Sequence, residues 1–300
     1  ILSLSSGLVG GIIVAAMPRV SNRLRNFIVS LFTVSGMVFS WRVALKIFSG
    51  KSIRLAGDIG GLAWSIDPDP LGAIFGLIAS TLWLFAAVYS FGYMKGKRNL
   101  RSYYAFFLVS FSVTLGVAFS GNLIALYLFY ELLTFATYPL VIHERSPEAM
   151  KAGSKYILYN LSGAGVILIA IGTTFVWTGN LDFSSSPILQ SVMRPGLSWL
   201  LLLFIVGFGV KAAIMPLHRW LPAAMAAPTP VSALLHAVAV VYSGVYGVLR
   251  VVYSVFGHNL VGQLWISRFL PWVAAFTILA GVIIATRQDV LKRRLAYHTI

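Results

Sequence analysis

The sequence contains nine long apolar runs that are separated by short polar connections. A helix needs about 20 apolar residues to cross a bilayer, and it satisfies its own backbone hydrogen bonds. Only 10% of the residues are charged, whereas a soluble domain has about 25%. We therefore predict an all-α, polytopic transmembrane helical bundle of nine to ten spans, with the tenth starting near Leu295. The nine runs are Ile1–Met17, Phe27–Phe48, Leu71–Met94, Tyr103–Phe119, Leu123–Ile142, Tyr156–Thr178, Leu197–Leu217, Val231–Phe256 and Phe269–Thr286.

Both ends of the sequence indicate a longer protein. The first run lacks an initiating methionine and the basic residues that precede the apolar core of a signal peptide. The last run begins near Leu295, and the sequence ends at Ile300 before a span is complete. We expect the sequence to be a fragment that is open at both ends.

Basic residues are concentrated in alternate connections between the runs. Cytoplasmic loops carry an excess of Lys and Arg, so we expect these connections to face the cytoplasm and the first span to begin outside. Contact with anionic lipid headgroups then explains the net charge of +15, and nucleic acid is not expected as a partner. The inner set holds fifteen of the 23 basic residues, namely Arg19, Arg23, Arg25, Lys95, Lys97, Arg98, Arg101, Arg145, Lys151, Lys155, Arg219, Arg287, Lys292, Arg293 and Arg294.

No cofactor or metal site is predicted. The sequence has no cysteine, which excludes disulfides, cysteine-ligated zinc and ordinary iron–sulfur clusters. Its glycine-rich stretches lie inside apolar runs without a preceding strand, so the context of a dinucleotide-binding loop is missing. Haem ligation needs a second histidine on a facing helix, whereas His143 and His218 lie near the inner surface. We expect no redox chemistry in this chain itself.

Three ionisable residues, Glu131, Lys211 and His236, lie where a span makes them costly, whereas Arg42 can extend past Lys46 to the outer interface. Placing an acid or a lysine near the centre of a span costs about 2.5 to 3.5 kcal/mol. Such residues usually face the bundle interior or water, and they mark ion pathways. These three are therefore the main candidates for a functional site.

Glu131 lies on a polar face of its predicted helix. That face also carries residues at positions i−4, i+3 and i+7 from Glu131, which are Tyr127, Thr134 and Tyr138. Their hydroxyl groups can hold water or relay a proton, or they can simply satisfy a contact between helices. The carboxylate favours the functional interpretation, because a packing contact does not need it.

The predicted span that carries Lys211 cannot be one regular helix. Pro216, Pro222, Pro228 and Pro230 follow Lys211 closely, and each proline removes a backbone donor and clashes with the preceding turn. Broken helices at membrane depth line protein-enclosed or water-filled cavities and often mark transport sites. We therefore predict a transport site beside this broken helix.

Lys211 and Glu131 form a candidate switch. Burial disfavours the charged form of a lysine, and a nearby carboxylate favours it. Pairing with Glu131 would keep Lys211 charged, and separation would favour release of its proton. A static buried ion pair is the alternative interpretation.

His236 and Lys155 are candidates for the remaining steps of a relay. Histidine titrates near neutrality and can pass a proton in either direction, and Ser232 and Ser243 are spaced to share the face of His236. A packing role is the alternative for His236. Lys155 enters the sixth span from inside, where interfacial anchoring is the favoured interpretation and the inner mouth of a path is the alternative.

Three motifs carry a resemblance to a known family. YELLTFATYPLVIHERSPEAMKAGSKYIL begins beside Glu131, PLHRWLPAAMAAPTPVSALLHA leads from the Lys211 region to His236, and DVLKRRLAYHTI closes the sequence. They resemble the proton-translocating antiporter-like family, which includes large membrane subunits of respiratory complex I, subunits A and D of Mrp-type antiporters, and relatives in membrane-bound hydrogenases. The similarity covers most of residues 60–300.

The resemblance implies an organisation and a set of roles. It implies two inverted five-helix repeats, each with a broken helix, so that residues 1–102 hold N-terminal helices, 103–256 the first repeat and 257–300 the truncated start of the second. It also implies that Glu131 pairs with Lys211 and that His236 links onward along a hydrated axis. The distal half of that path lies beyond the sequence.

We therefore hypothesise a proton-translocating membrane subunit of a multisubunit respiratory complex, similar to NADH-quinone oxidoreductase, in a prokaryotic plasma membrane. Its partners would be other membrane subunits, lipid, protons and, in one alternative, sodium. That alternative is an Mrp-type cation/proton antiporter subunit, which predicts sodium-dependent proton flux. The second alternative is an inert membrane anchor, in which neutralising Glu131 and Lys211 together is harmless. No sequence feature distinguishes a quinone groove from packing aromatic residues.

Overall fold

The computed structural model describes residues 2–17, 21–183 and 186–300. Ile1 of the first predicted span, Arg19 of the inner basic set and the outer-loop residues Ser184 and Ser185 lie outside the described residues. Within the described part, seven helical segments are long and apolar enough to cross a membrane. Two shorter apolar helices, Leu2–Ala16 and Leu197–Lys211, complete the set of nine. These segments coincide with the nine predicted runs, which confirms the polytopic helical fold.

The helices follow one another with short connections. The first six are α1 (Leu2–Ala16), α2 (Asn22–Phe48), α3 (Pro70–Tyr93), α4 (Leu100–Ala118), α5 (Leu123–Val141) and α6 (Pro147–Thr178). The remaining helices are α7 (Leu197–Lys211), α8 (Trp220–Ala223), α9 (Thr229–Ala237), α10 (Val240–Arg250), α11 (His258–Gln263), α12 (Leu270–Thr286) and α13 (Leu291–Thr299). Short 3₁₀ turns flank α8 and precede α12, and a π-helical turn, Val251–Phe256, extends α10.

Local capping signals set several helix ends. Asn122 accepts a hydrogen bond from Ala125 N at 2.8 Å and so caps α5. The Ser146 hydroxyl accepts a hydrogen bond from Ala149 N at 3.1 Å and so caps α6. The first residue of α6 is a proline, which is tolerated because the first helical position needs no backbone donor. Because of this cap, α6 begins nine residues before the predicted apolar run, and Lys155 lies on a helix rather than in a loop.

A β-hairpin between α2 and α3 was not predicted from the sequence. Strand β1 (Leu55–Ile59) pairs antiparallel with β2 (Leu62–Ile66). Gly60 and Gly61 form its two-residue turn with φ of +62° and +85°, which is the positive-φ geometry that favours glycine in tight hairpins. The consecutive glycines between two short runs were the sequence signal that could have predicted a hairpin turn.

The hairpin brings together two connections that were assigned to the outer side. Arg54 forms an ion pair with Asp182 at 3.0 Å. The Asn122 amide bonds the carbonyl of Ala63 at 2.9 Å and the carboxylate of Asp182 at 3.3 Å. On the predicted inner side, Lys97 pairs with Glu144 at 3.2 Å. Each of these contacts joins connections at one end of the bundle.

An ion pair between a buried arginine and a half-exposed aspartate joins α10 to the start of α3. The side chain of Asp69 is 42% exposed, whereas that of Arg250 is only 1% exposed. Its two terminal nitrogens each donate to a carboxylate oxygen of Asp69 at 2.6 Å, and its Nε donates to the Tyr246 hydroxyl at 2.9 Å. Tyr246 in turn donates to the carbonyl of Ala118 at 2.7 Å. These bonds hold α3, α4 and α10 together near the outer surface.

We predict that Asp69→Asn lowers the free energy of unfolding by about 3 kcal/mol, because it leaves a buried guanidinium without its counter-charge. Asparagine retains the ability to cap α3, so the change isolates the ion pair. Unfolding of the full-length protein in detergent measures the effect. The exposed pair supplies the control: Arg54→Gln should cost less than about 1 kcal/mol. Equal losses in the two variants would contradict the assignment.

Candidate functional site

The predicted helix break begins directly after Lys211. Helix α7 ends at Lys211, and the chain then runs through two 3₁₀ turns and the four-residue helix α8 before α9 begins. Pro216 precedes the first 3₁₀ turn, and Pro222 lies in α8. Pro228 and Pro230 stand at the start of α9, where a missing backbone donor costs nothing.

Two residues hold the broken end of α7 in place. The indole of Trp220 donates to the carbonyl of Val210 at 2.7 Å, and Ala213 N donates to the same carbonyl at 3.1 Å, so this acceptor at the helix end is fully satisfied. Gly244 of α10 packs directly on the chain beyond the break, because a Cβ at this position would lie 2.2 Å from Ala212 N. The backbone of Lys211 is therefore fixed from two sides.

Lys211 is completely buried, and its ammonium is held by Tyr130 of α5. It donates a hydrogen bond to the Tyr130 carbonyl oxygen. The same ammonium lies 3.4 Å from the centroid of the Tyr130 ring, which is the geometry of a cation–π contact. Lys211 and Glu131 interact electrostatically but do not form a direct ion pair.

Glu131 is half-buried on the same turn of α5. Its Oε1 is buried and has no hydrogen-bond partner. Thr134 is fully buried and donates to the Tyr130 carbonyl at 3.5 Å, whereas Tyr127 and Tyr138 are half-buried. Tyr127 interacts electrostatically with Glu131. The structure therefore brings Glu131 and Lys211 into one site, with Tyr130 as their shared neighbour.

Three aromatic residues at this site were not predicted from the sequence: Tyr130, Tyr156 and Trp220. The Tyr156 hydroxyl lies 2.7 Å from the hydroxyl of Thr137 on α5, and its ring packs edge-on against Trp220 at 5.4 Å. The available signals were the adjacency of Tyr130 to Glu131 and a tryptophan within the proline-rich break.

His236 lies on α9 and contacts a different helix from Lys211. Its Nδ1 is 3.3 Å from the Thr299 hydroxyl of α13, and its Nε2 is buried without a partner. Ser232 and Ser243 donate to the carbonyls of Ala227 and Val240, so their hydroxyls are engaged with backbone.

The helix after His236 is interrupted. Helix α9 ends at Ala237 and α10 starts at Val240, with Val238 and Ala239 both donating to the Leu234 carbonyl, at 3.2 and 2.8 Å. The i+7 spacing assumed a continuous helix. Because the helix is interrupted, this spacing no longer indicates which face of the helix Ser243 shares.

Lys155 is exposed and lines a groove at the inner surface. The groove has a volume of about 670 Å³, and the charged side chains in its lining are Glu148, Lys151, Lys155, Lys292 and Arg293. Lys292 donates to the Ala227 carbonyl at 2.9 Å, so the wall formed by α13 is tied to the broken segment. The groove therefore places Lys155 near the break but at the surface.

Comparison with known proteins places this arrangement in a family. Residues 120–300 match the family described as NADH:quinone oxidoreductase/Mrp antiporter, TM. NAD(P)H-quinone oxidoreductase chain 5 of Picosynechococcus sp. is 30% identical over 320 aligned positions, covering 100% of this chain and 47% of that protein. Na(+)/H(+) antiporter subunit A1 of Staphylococcus aureus is 32% identical over 246 positions, covering 80% and 30%. The chain thus spans less than half the length of either relative.

Two solved structures share the fold. A chain of the membrane-bound sulfane sulfur reductase, an archaeal respiratory membrane complex, matches all of this chain and 62% of its own length with a TM-score of 0.86 and 24% identity. A chain of the Mrp complex from Dietzia sp. matches 99% of this chain and 32% of its own length with a TM-score of 0.85 and 23% identity. With the family match over residues 120–300, these findings show that the chain belongs to the NADH:quinone oxidoreductase/Mrp antiporter family of transmembrane proteins.

Proposed function

We propose that this chain forms part of a proton-translocating membrane subunit of a multisubunit respiratory complex in a prokaryotic plasma membrane. The observation that carries the proposal is a fully buried lysine at the end of a broken helix, within electrostatic reach of a membrane-embedded carboxylate. Ionisable residues at this depth are costly and are usually retained for ion movement. The two curated relatives, a quinone oxidoreductase subunit and an antiporter subunit, support the same kind of role.

The proposed mechanism moves a proton by changing the distance between Glu131 and Lys211. An ammonium in this dry environment is stabilised when an ionised carboxylate is near and is destabilised when it is far. Lys211 would load a proton in the paired arrangement and release it when the pair separates. His236 would receive or return that proton, and the broken segment would admit the water that carries it between them.

The proposed organisation follows the same division as the expected repeats. Residues 103–256 would form the first five-segment repeat: α4, α5, α6, the α7–α8 pair and the α9–α10 pair. Residues 1–102 would precede it, and 257–300 would begin the second repeat. The ionisable residues Glu131, Lys211 and His236 all fall within the first repeat.

We predict that Glu131→Gln and Lys211→Ala each abolish most proton translocation while the complex still assembles, because each removes one member of the switch. Everted membrane vesicles with the full-length variant, assayed by quenching of a pH-sensitive dye, report the proton gradient. Glu144→Gln is the matched control, because it makes the same chemical change at an exposed carboxylate, which pairs with Lys97 outside the buried site. Normal pumping in the Glu131 or Lys211 variant would refute the relay and favour an inert anchor.

The relative from Staphylococcus aureus favours a second candidate function, cation/proton antiport. In that case an opposing ion gradient, rather than electron transfer in partner subunits, would drive the proton. Adding sodium chloride to vesicles that hold a proton gradient should then dissipate the gradient, and Glu131→Gln should suppress this response. A response that is the same with choline chloride would exclude antiport of sodium.

A further inference from the structure

We propose that Tyr130 is a positioning residue that holds Lys211 in its unpaired state. In this proposal, which rests on the proposed function, Lys211 moves between two positions on α5: the ring face and carbonyl of Tyr130, and the carboxylate of Glu131. The structure shows the first position occupied. The second lies on the adjacent residue, with its Oε1 buried and unpartnered.

The contacts of the ammonium explain why the Tyr130 position is stable. A lysine that leaves its carboxylate at membrane depth needs other partners, because an isolated buried charge is very costly. Tyr130 supplies a carbonyl acceptor and the negative face of an aromatic ring, with the ammonium 3.4 Å from the ring centroid. Neither partner carries a formal charge. These uncharged partners therefore stabilise the ammonium less than an ionised carboxylate would, and the proton is released from this position.

The ring is held in place independently of Lys211. Tyr130 packs edge-on against Phe208 of α7, with ring centroids 5.2 Å apart at an interplanar angle of 87°. Phe208 in turn lies against Gly247, where a Cβ would approach its ring to 2.1 Å. The Tyr130 hydroxyl is buried without a hydrogen-bond partner. The ammonium is therefore held by the ring and the carbonyl of Tyr130 rather than by its hydroxyl.

In the proposal, the side chain of Lys211 moves while its backbone stays fixed. Tyr130 and Glu131 are consecutive on α5, and the Lys211 backbone is fixed by the contacts of Trp220 and Gly244 around the break. The lysine side chain has a flexible stem of four methylene groups, which lets its ammonium exchange partners. Loss of the ring would bias Lys211 toward Glu131 and slow the separation step.

Graded fluorination of the ring tests the proposal. Tyr130→Phe removes only the unpartnered hydroxyl, so its transport rate should stay within about twofold of the wild type. Mono-, di- and trifluorophenylalanine at position 130 of the full-length protein then withdraw charge from the ring face with little change in size. The rate in everted vesicles should fall with each added fluorine, by about tenfold in total. Tyr130→Leu, which removes the ring, should fall at least as far, and Tyr130→Trp should retain activity.

The outcomes separate this inference from the proposed function. A purely packing role predicts the same rate across the fluorinated series, and that result, or a rate that rises with fluorination, would overturn the role of Tyr130. If Glu131→Gln abolishes transport in the same assay, the relay itself would still stand. Transport that persists in Glu131→Gln would overturn both. Assembly of each variant is checked first by native gel, and the fluorinated series decides the question even if Tyr130→Leu fails to assemble.

Discussion

The structure depends on how a broken helix is tolerated at membrane depth. A helix end exposes backbone acceptors that lipid cannot satisfy, so the protein must supply partners. Here the indole of Trp220 bonds the Val210 carbonyl, and Gly244 lets α10 close over the break. This enclosure also allows a lysine to be the last residue of α7 without facing lipid. The contacts that enclose the helix break therefore also enclose the buried lysine.

Among the residues that the structure describes, the buried cations Lys211 and Arg250 are held in opposite ways. Arg250 makes two bonds of 2.6 Å to Asp69 and further bonds to Tyr246, so its charge is neutralised and its geometry is locked. Lys211 has a carbonyl, a ring face and a carboxylate that is near but not in direct contact. A bidentate arginine pair suits a fixed joint, whereas a flexible lysine with alternative partners suits a moving charge.

The sequence predicted the spans, the break and the three ionisable residues because each depends on local composition or on cost in a bilayer. It did not predict the contacts between distant residues. Tyr130 and Lys211 are 81 positions apart, and Asp69 and Arg250 are 181 apart, so no periodic pattern relates them. The hairpin was missed because its strands are five residues each, far shorter than the spans beside it. The predicted relation of Ser243 to His236 assumed an uninterrupted helix, whereas α9 ends at Ala237 and α10 begins at Val240.

The interruption after His236 repeats, on a smaller scale, the arrangement at Lys211. Lys211 is the last residue of α7, and His236 is the second-last residue of α9. The C-terminal end of a helix carries partial negative charge, which stabilises a cation placed there. Lys211 is fully buried and His236 is half-buried, and each lies at the end of its own helix, where that partial charge acts. In the proposed relay each side chain would hold the proton in turn, and a residue in mid-helix would lack that support.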